Sequence, residues 1–180
     1  MRAITNRSRI LSMVPAGGVC AEVGVASGTF SAIMVKIIKP SVLYMVDVWE
    51  SIPEGDRASF RSEGGQYSHL IATLKKNRRA IKNGVARPLV GKSTDMAQIV
   101  DDESLDLVYI DANHSYEGCL SDLRAWYPKV KIGGIVSGHD MNRKEYGVTE
   151  AVDAFFAEMG IAKDMLNVTL EDYPSFWFRK

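Results

Sequence analysis

The sequence predicts an α/β fold: a doubly wound, mostly parallel sheet with helices on both faces. Two observations predict it. Apolar runs of strand length alternate with segments of helical period, five times in succession, and that order suits a parallel sheet covered on both sides. Several of the apolar runs also stop abruptly at acids, glycines or histidines, where such sheets place their ligands.

The elements follow in order. VCAEVG (19–24) is the first strand, and Phe30, Ile33, Met34, Ile37 and Ile38 form a helical stripe that Pro40 closes. LYMVDVW (43–49) is the second strand, and the polar, turn-rich stretch 50–66 follows it. Residues 67–80 read as one helix with Lys75, Lys76, Arg78 and Arg79 at its end, as the helix dipole prefers. ARPLVG (86–91), LDLVYID (105–111) and GGIVSG (133–138) are the third to fifth strands. Tyr116, Leu120, Leu123 and Tyr127 share one helical face, and Val148, Val152, Phe155 and Met159 another. The tail NVTLEDYPSFWFRK reads as two short strands around Tyr173–Pro174.

A chain of 180 residues suits a single domain, 1–180. With 22 Lys+Arg against 22 Asp+Glu, the balance offers no electrostatic argument for nucleic acid or an anionic membrane. No apolar stretch approaches the roughly 20 residues of a membrane span, and the first residues are too short in apolar core for a secretory signal. Two cysteines, Cys20 and Cys119, sit inside apolar elements and are expected to be buried thiols, which points to the cytoplasm.

Each strand end offers chemistry. Glu22-Val-Gly24-Val-Ala26-Ser-Gly28 is a glycine turn opening a helix, suited to close backbone approach, but it is not G-x-G-x-x-G. Asp47 ends the second strand, where a carboxylate accepts two hydrogen bonds from a ribose diol. Ser93 and Asp95 follow the third strand; Asp95 suits a purine amino group or a helix N-cap with Gln98 as its partner. Asp111 ends the fourth strand, with His114 just beyond, and His139-Asp140 ends the fifth. As neighbours about 5 Å apart, those two strands bring the acids and imidazoles into one volume. Asp111 could alternatively cap the next helix, and Asp140 could begin a turn.

These residues resemble the class I S-adenosylmethionine-dependent methyltransferases over roughly residues 15–180. The closer resemblance is to small-molecule O-methyltransferases whose strand ends read IDxxHxYE and GGxxxGHD, here Ile110–Glu117 and Gly133–Asp140, about 25 residues apart. The resemblance implies a Rossmann-like, seven-stranded sheet of order 3-2-1-4-5-7-6 with SFWFRK as its antiparallel strand. It implies S-adenosylmethionine as methyl donor, with Glu22, Gly24, Ala26 and Gly28 at its methionine end. Asp47 then holds the ribose, Ser93 and Asp95 lie near adenine, and Asp111 lies beside the sulfonium. Ala26 stands where many members have a second glycine. The acceptor is expected to be a hydroxyl of a small molecule or sugar.

Carboxylates this close repel unless a proton or cation lies between them. The expected site is therefore a magnesium or manganese ion on Asp111, His139 and Asp140, which would acidify the acceptor hydroxyl. Metal-dependent relatives usually carry asparagine after the second acid, where this chain has Met141. The alternative makes His114 or His139 the general base. Two other classes stay open: a nucleotide-dependent oxidoreductase, which the missing glycine fingerprint argues against, and a cofactor-binding module without catalysis. The first 14 residues and loop 50–66 are the candidate lids, and a homo-oligomer would complete the pocket from a second subunit.

Overall fold

The computed structural model describes residues 5–49 and 68–180, so the candidate lid 50–66 lies outside the described residues. In the first part of the chain, α1 (Arg7–Leu11), β1 (Gly17–Val23), α2 (Thr29–Ile38) and β2 (Pro40–Asp47) alternate. Then come α3 (Ser68–Lys76), α4 (Arg78–Lys82), β3 (Ala86–Val90), α5 (Ser93–Ala97) and β4 (Leu105–Ile110). The rest is α6 (Tyr116–Trp126), β5 (Val130–Gly138), α7 (Val148–Met159), β6 (Asn167–Val168) and β7 (Phe176–Arg179).

The seven strands run β3-β2-β1-β4-β5-β7-β6, the order the resemblance implies. β1 pairs in parallel with both β2 and β4, so the strand order reverses between β1 and β4. A crevice opens there at the carboxyl ends, where this architecture binds its ligands. β7 runs antiparallel to β5.

Side chains along β4 alternate between two cores. Leu107 and Tyr109 face α1 and α2, against Ile10, Phe30, Met34 and Ile38. Val108 and Ile110 face α6 and α7, against Leu123, Trp126, Val152 and Phe155. Each such large apolar side chain contributes about 1.5–3 kcal/mol when fully buried. Tyr116 and Met159, the outer members of the two predicted helical faces, are exposed instead. Cys20 and Cys119 are free and buried, and burial pushes both thiols up to about 12.

Two boundaries differ from the sequence reading. The predicted helix 67–80 breaks at Asn77 into α3 and α4. The buried Asn77 side chain donates to Gly28 O at 3.0 Å, so helical regularity there gives way to a tie onto the glycine turn. β5 begins at Val130, three residues early, because its register against β4 shifts between the Leu105 and Leu107 pairs. Gly133, at φ 80°, takes up that bulge.

Candidate active site

The glycine turn after β1 is held from three directions. Asp47 Oδ2 accepts from the backbone N–H groups of Val25 (2.9 Å) and Ala26 (2.8 Å), and its Oδ1 accepts from Trp49 N at 2.8 Å. The Ala26 carbonyl accepts from Trp49 Nε1 (2.9 Å) and Thr73 Oγ1 (2.8 Å). Asp47, assigned by resemblance to a ribose, thus orders the turn; an oxygen with one N–H partner keeps acceptor capacity for a hydroxyl. Gly24 (φ 89°) sits so close to β4 that a Cβ would lie 2.0 Å from the Asp111 carbonyl oxygen. Ala26 has φ 48°, in the left-handed region that favours glycine.

Beneath the turn, Glu22 is buried and accepts a hydrogen bond from the Ser31 hydroxyl. Burial pushes its carboxyl up to about 8, with the charges of Asp111 and Asp47 adding and the Ser31 hydrogen bond and Arg7 opposing. Folded Glu22 is therefore protonated at neutral pH, whereas the unfolded chain ionises near 4.5. The native state binds the extra proton between those values, so this group makes stability fall as pH rises from about 4.5 to about 8. Glu22→Gln should remove that component. Denaturation midpoints should show the variant gaining on the wild-type protein by up to about 1.4 kcal/mol per pH unit across that window. A gap that does not change with pH would show that Glu22 is ionised in the fold.

After β3, Ser93 opens α5 with Lys92 as its N-cap, so Asp95 lies inside the first turn and is not the cap. Asp95 is exposed. The Ser93 hydroxyl accepts from Trp126 Nε1 at 2.8 Å and hydrogen-bonds Asp122, tying α5 to α6. Burial pushes the Asp122 carboxyl up to about 6 against that hydrogen bond. Sequence reasoning missed Asp122, which looks like an ordinary exposed position of an amphipathic helix.

The ends of β4 and β5 bring four polar side chains together. His114 Nε2 lies 3.2 Å from Asp111 Oδ1 and 3.2 Å from Asp140 Oδ2. His139 Nδ1 lies 3.6 Å from Asp111 Oδ1 and 3.4 Å from Asp140 Oδ1. Neither helix capping nor a plain turn accounts for the acids. Ser115 is the cap of α6, accepting from Gly118 N at 3.1 Å, and Asp140 is buried at φ 59°. Its Oδ1 makes no hydrogen bond, since His139 Nδ1 is near but not aligned to donate. Burial pushes the Asp140 carboxyl up, but the imidazoles of His139 and His114 and the Arg143 guanidinium outweigh it and hold it below the usual range. His114 is raised for the reciprocal reason: burial opposes its charge, and Asp111 and Asp140 overcome burial.

Aromatic rings and a cation complete the site. His114 stacks on Tyr146 with ring centroids 4.7 Å apart, and Gly147 N donates to His114 O at 2.9 Å. Arg7 of α1 lies 3.7 Å from Asp111 Oδ2 and packs its guanidinium 4.6 Å above the Phe30 ring. Nothing in the local sequence marks Arg7, since folding alone brings α1 against β4.

One ligand atom each from Asp111, His139 and Asp140 lies within 4.8 Å of the others. Two carboxylates and an imidazole suit a hard or borderline divalent cation, and the buried Asp140 Oδ1 makes no hydrogen bond although His139 Nδ1 lies 3.4 Å away. The residues present fit such an ion.

A family model described as a methyltransferase domain matches residues 21–141, from β1 through the end of β5. A curated relative, the uncharacterized protein y4gI of Sinorhizobium fredii (strain NBRC 101917 / NGR234), is 26% identical over 124 residues. That match takes in 69% of this chain but only 12% of the relative. Among solved structures, a Clostridium thermocellum protein assigned as an rRNA methylase superposes with TM-score 0.69 at 13% identity, covering 99% of both chains. A Streptococcus mutans protein assigned as a methyltransferase, solved in complex with SAH, gives 0.66 at 12% identity over 96% of this chain and 95% of that one. The O-methyltransferase NovP gives 0.61 at 20% identity over 97% of this chain and 79% of that one. At these identities the likeness is one of fold.

Proposed function

We propose that this chain, which belongs to the methyltransferase domain family, moves a methyl group from S-adenosylmethionine to a hydroxyl of a small molecule or sugar, aided by a divalent cation. The observation that carries the cation is the buried Asp140 Oδ1, without a hydrogen bond beside Asp111 and His139. Leaving a buried carboxylate oxygen without a hydrogen bond is costly, and a divalent cation held between the two acids would supply its partner.

Asp111, Asp140 and His139 hold the ion. Bound magnesium or manganese would acidify the acceptor hydroxyl, and S-adenosylmethionine would supply an electrophilic methyl group. Glu22, Gly24, Ala26 and Gly28 line the methionine end of the donor, Asp47 its ribose, and Ser93 and Asp95 its adenine. Protonated at neutral pH, Glu22 adds no further negative charge to the floor of the crevice. Asp111 lies beside the sulfonium, where its carboxylate favours positive charge. The remaining barrier falls mainly by positioning donor and acceptor in line and by excluding water.

A second reading makes His114 the general base. Its ring lies within reach of both carboxylates, which favours the reading on geometry. The same carboxylates raise its pKa, which favours the protonated imidazole over the neutral form a base requires. His114 is better suited to neutralise Asp111 and Asp140 in the absence of a metal.

Manganese titration followed by electron paramagnetic resonance tests the assignment before any acceptor is known. The wild-type chain should bind one ion, removable by a chelator, and Asp111→Asn should weaken binding at least about tenfold. If the wild-type chain binds no manganese, the cation is excluded and His114 becomes the candidate base.

A further inference from the structure

The zero net charge of the chain conceals a separation of signs. Residues 68–94 carry seven Lys or Arg and no Asp or Glu, whereas residues 95–180 carry sixteen Asp or Glu and eight Lys or Arg. In the later half the cations are mostly paired, as in Arg124–Glu158, Lys129–Asp102, Lys131–Asp106 and Lys163–Asp153. The cations of α3, α4 and β3 are all exposed and, among the described residues, none of them forms an ion pair.

The fold gathers them on one surface. The bonds Asn77 N→Thr73 O (3.0 Å) and Ile81 N→Asn77 O (3.0 Å) carry the helical spiral across the α3–α4 break. Ile71, Leu74, Lys75 and Arg78 therefore follow at i, i+3, i+4 and i+7, on one exposed face that Arg79 and Lys82 extend. Lys76 Nζ donates to Thr29 Oγ1, which sets the end of α3 beside the start of α2. Lys36, Ile37 and Lys39 are exposed at the other end of α2, roughly 10–15 Å along the helix from Thr29. Ile71 is 49% exposed, Leu74 40% and Ile37 37%.

We propose that the α2–α3–α4 face is a peripheral docking surface for the anionic headgroups of a lipid bilayer. Unpaired cations without an intervening acid attract a negatively charged surface, each contributing about 1 kcal/mol near it. The aliphatic side chains among them are the second requirement, because interfacial helices combine Lys and Arg with apolar groups that enter the headgroup layer. A single-stranded nucleic acid would satisfy the cations but would leave the aliphatics in water. It also calls for exposed aromatic rings on which bases stack, and this face shows none among the described residues. The exposed tyrosines, Tyr116 and Tyr173, belong to other segments. The surface begins at the rim of the crevice, since Thr29 opens the helix that follows the glycine turn. This inference is independent of the proposed reaction.

Sedimentation with vesicles tests it on the full chain. With about 30% phosphatidylserine the wild-type protein should pellet, with phosphatidylcholine alone it should stay in solution, and binding should fall at least about tenfold from about 0.05 M to about 0.5 M salt. The combined change Lys75→Glu, Arg78→Glu, Arg79→Glu and Lys82→Glu should weaken binding at least about a hundredfold with an unchanged circular-dichroism melt. The same four positions changed to Ala provide a second variant should the first not fold. Ile71→Ser with Leu74→Ser should weaken the binding that remains at high salt. Sedimentation that is equal on neutral vesicles, or undiminished in a folded charge variant, overturns the proposal. So does tighter binding to a single-stranded RNA oligonucleotide than to the anionic vesicles, which would make the face a nucleic-acid surface.

Discussion

Asp140→Asn should cut methyl transfer to a responsive acceptor at least about a hundredfold, some 2.7 kcal/mol of transition-state stabilisation, while the protein stays folded and melts only slightly earlier than the wild type. The two readouts move apart for a physical reason. Asp140 is buried, its Oδ1 has no hydrogen-bond partner, and the carboxylate of Asp111 lies across the same imidazoles. Without a cation, the imidazoles of His139 and His114 and the Arg143 guanidinium favour the Asp140 charge over the burial that opposes it, so removing that charge costs some stability but leaves the fold intact. Asn also tolerates the left-handed conformation that residue 140 adopts at φ 59°. With a cation bound, the same change removes a ligand. Donor binding, measured by calorimetry with S-adenosylmethionine, should change less than about threefold, because the proposed donor contacts are chiefly with the turn and Asp47. Chelation of the wild-type enzyme should reproduce the variant, and added manganese should rescue the former only. Full activity in Asp140→Asn would remove the carboxylate from the mechanism.

The second large effect concerns the backbone. Gly24→Ala should destabilise the protein by at least about 3 kcal/mol, read from denaturant midpoints, because the new Cβ would meet the Asp111 carbonyl oxygen at 2.0 Å. Neither partner can move freely. Asp111 N donates to Val23 O at 2.7 Å, and Gly24 N to Val46 O at 2.8 Å, so the backbone is pinned on both sides. The positive φ of 89° adds a conformational cost. Ala26→Gly should act in the opposite sense. An L-residue at φ 48° costs about 1–2 kcal/mol, and the freedom that glycine gains in the unfolded chain gives back about 0.4–1 kcal/mol of that. The net expectation is a gain of up to about 1 kcal/mol. If Gly24→Ala unfolds at the wild-type midpoint, β1 and β4 do not approach as closely as the structure places them.

Much of this was legible in the sequence because the signals were local. VCAEV and LDLVYI are apolar but for one acid each, as strands buried on both faces are, and Glu22, Asp47, Asp111 and Asp140 mark where each strand delivers a polar group. The strand order was legible only through resemblance, since hydrophobic period carries no information about which strands pair. What stayed hidden depends on contacts distant in sequence. Arg7 reaches Asp111 because α1 packs against α2 and β4, and Asn77 breaks a strong helical pattern because its amide serves Gly28 across the crevice wall. Charge balance misled in its own way: summed along the chain the signs cancel, and only the fold shows that they occupy different surfaces.

The sheet order also bears on how the protein is made. β7 lies between β5 and β6 in space but follows both in the chain. A ribosome that has finished β5 at Gly138 must add 37 more residues before Phe176 begins the strand that covers it. At about 5–20 residues per second, that leaves one edge of β5 without its partner for roughly 2–8 s. The nascent chain then carries a parallel sheet of apolar strands with an open flank, the kind of surface to which chaperones bind and other chains add. β7 therefore closes the interior of the sheet late, so a nascent chain stalled before residue 176 leaves that flank open.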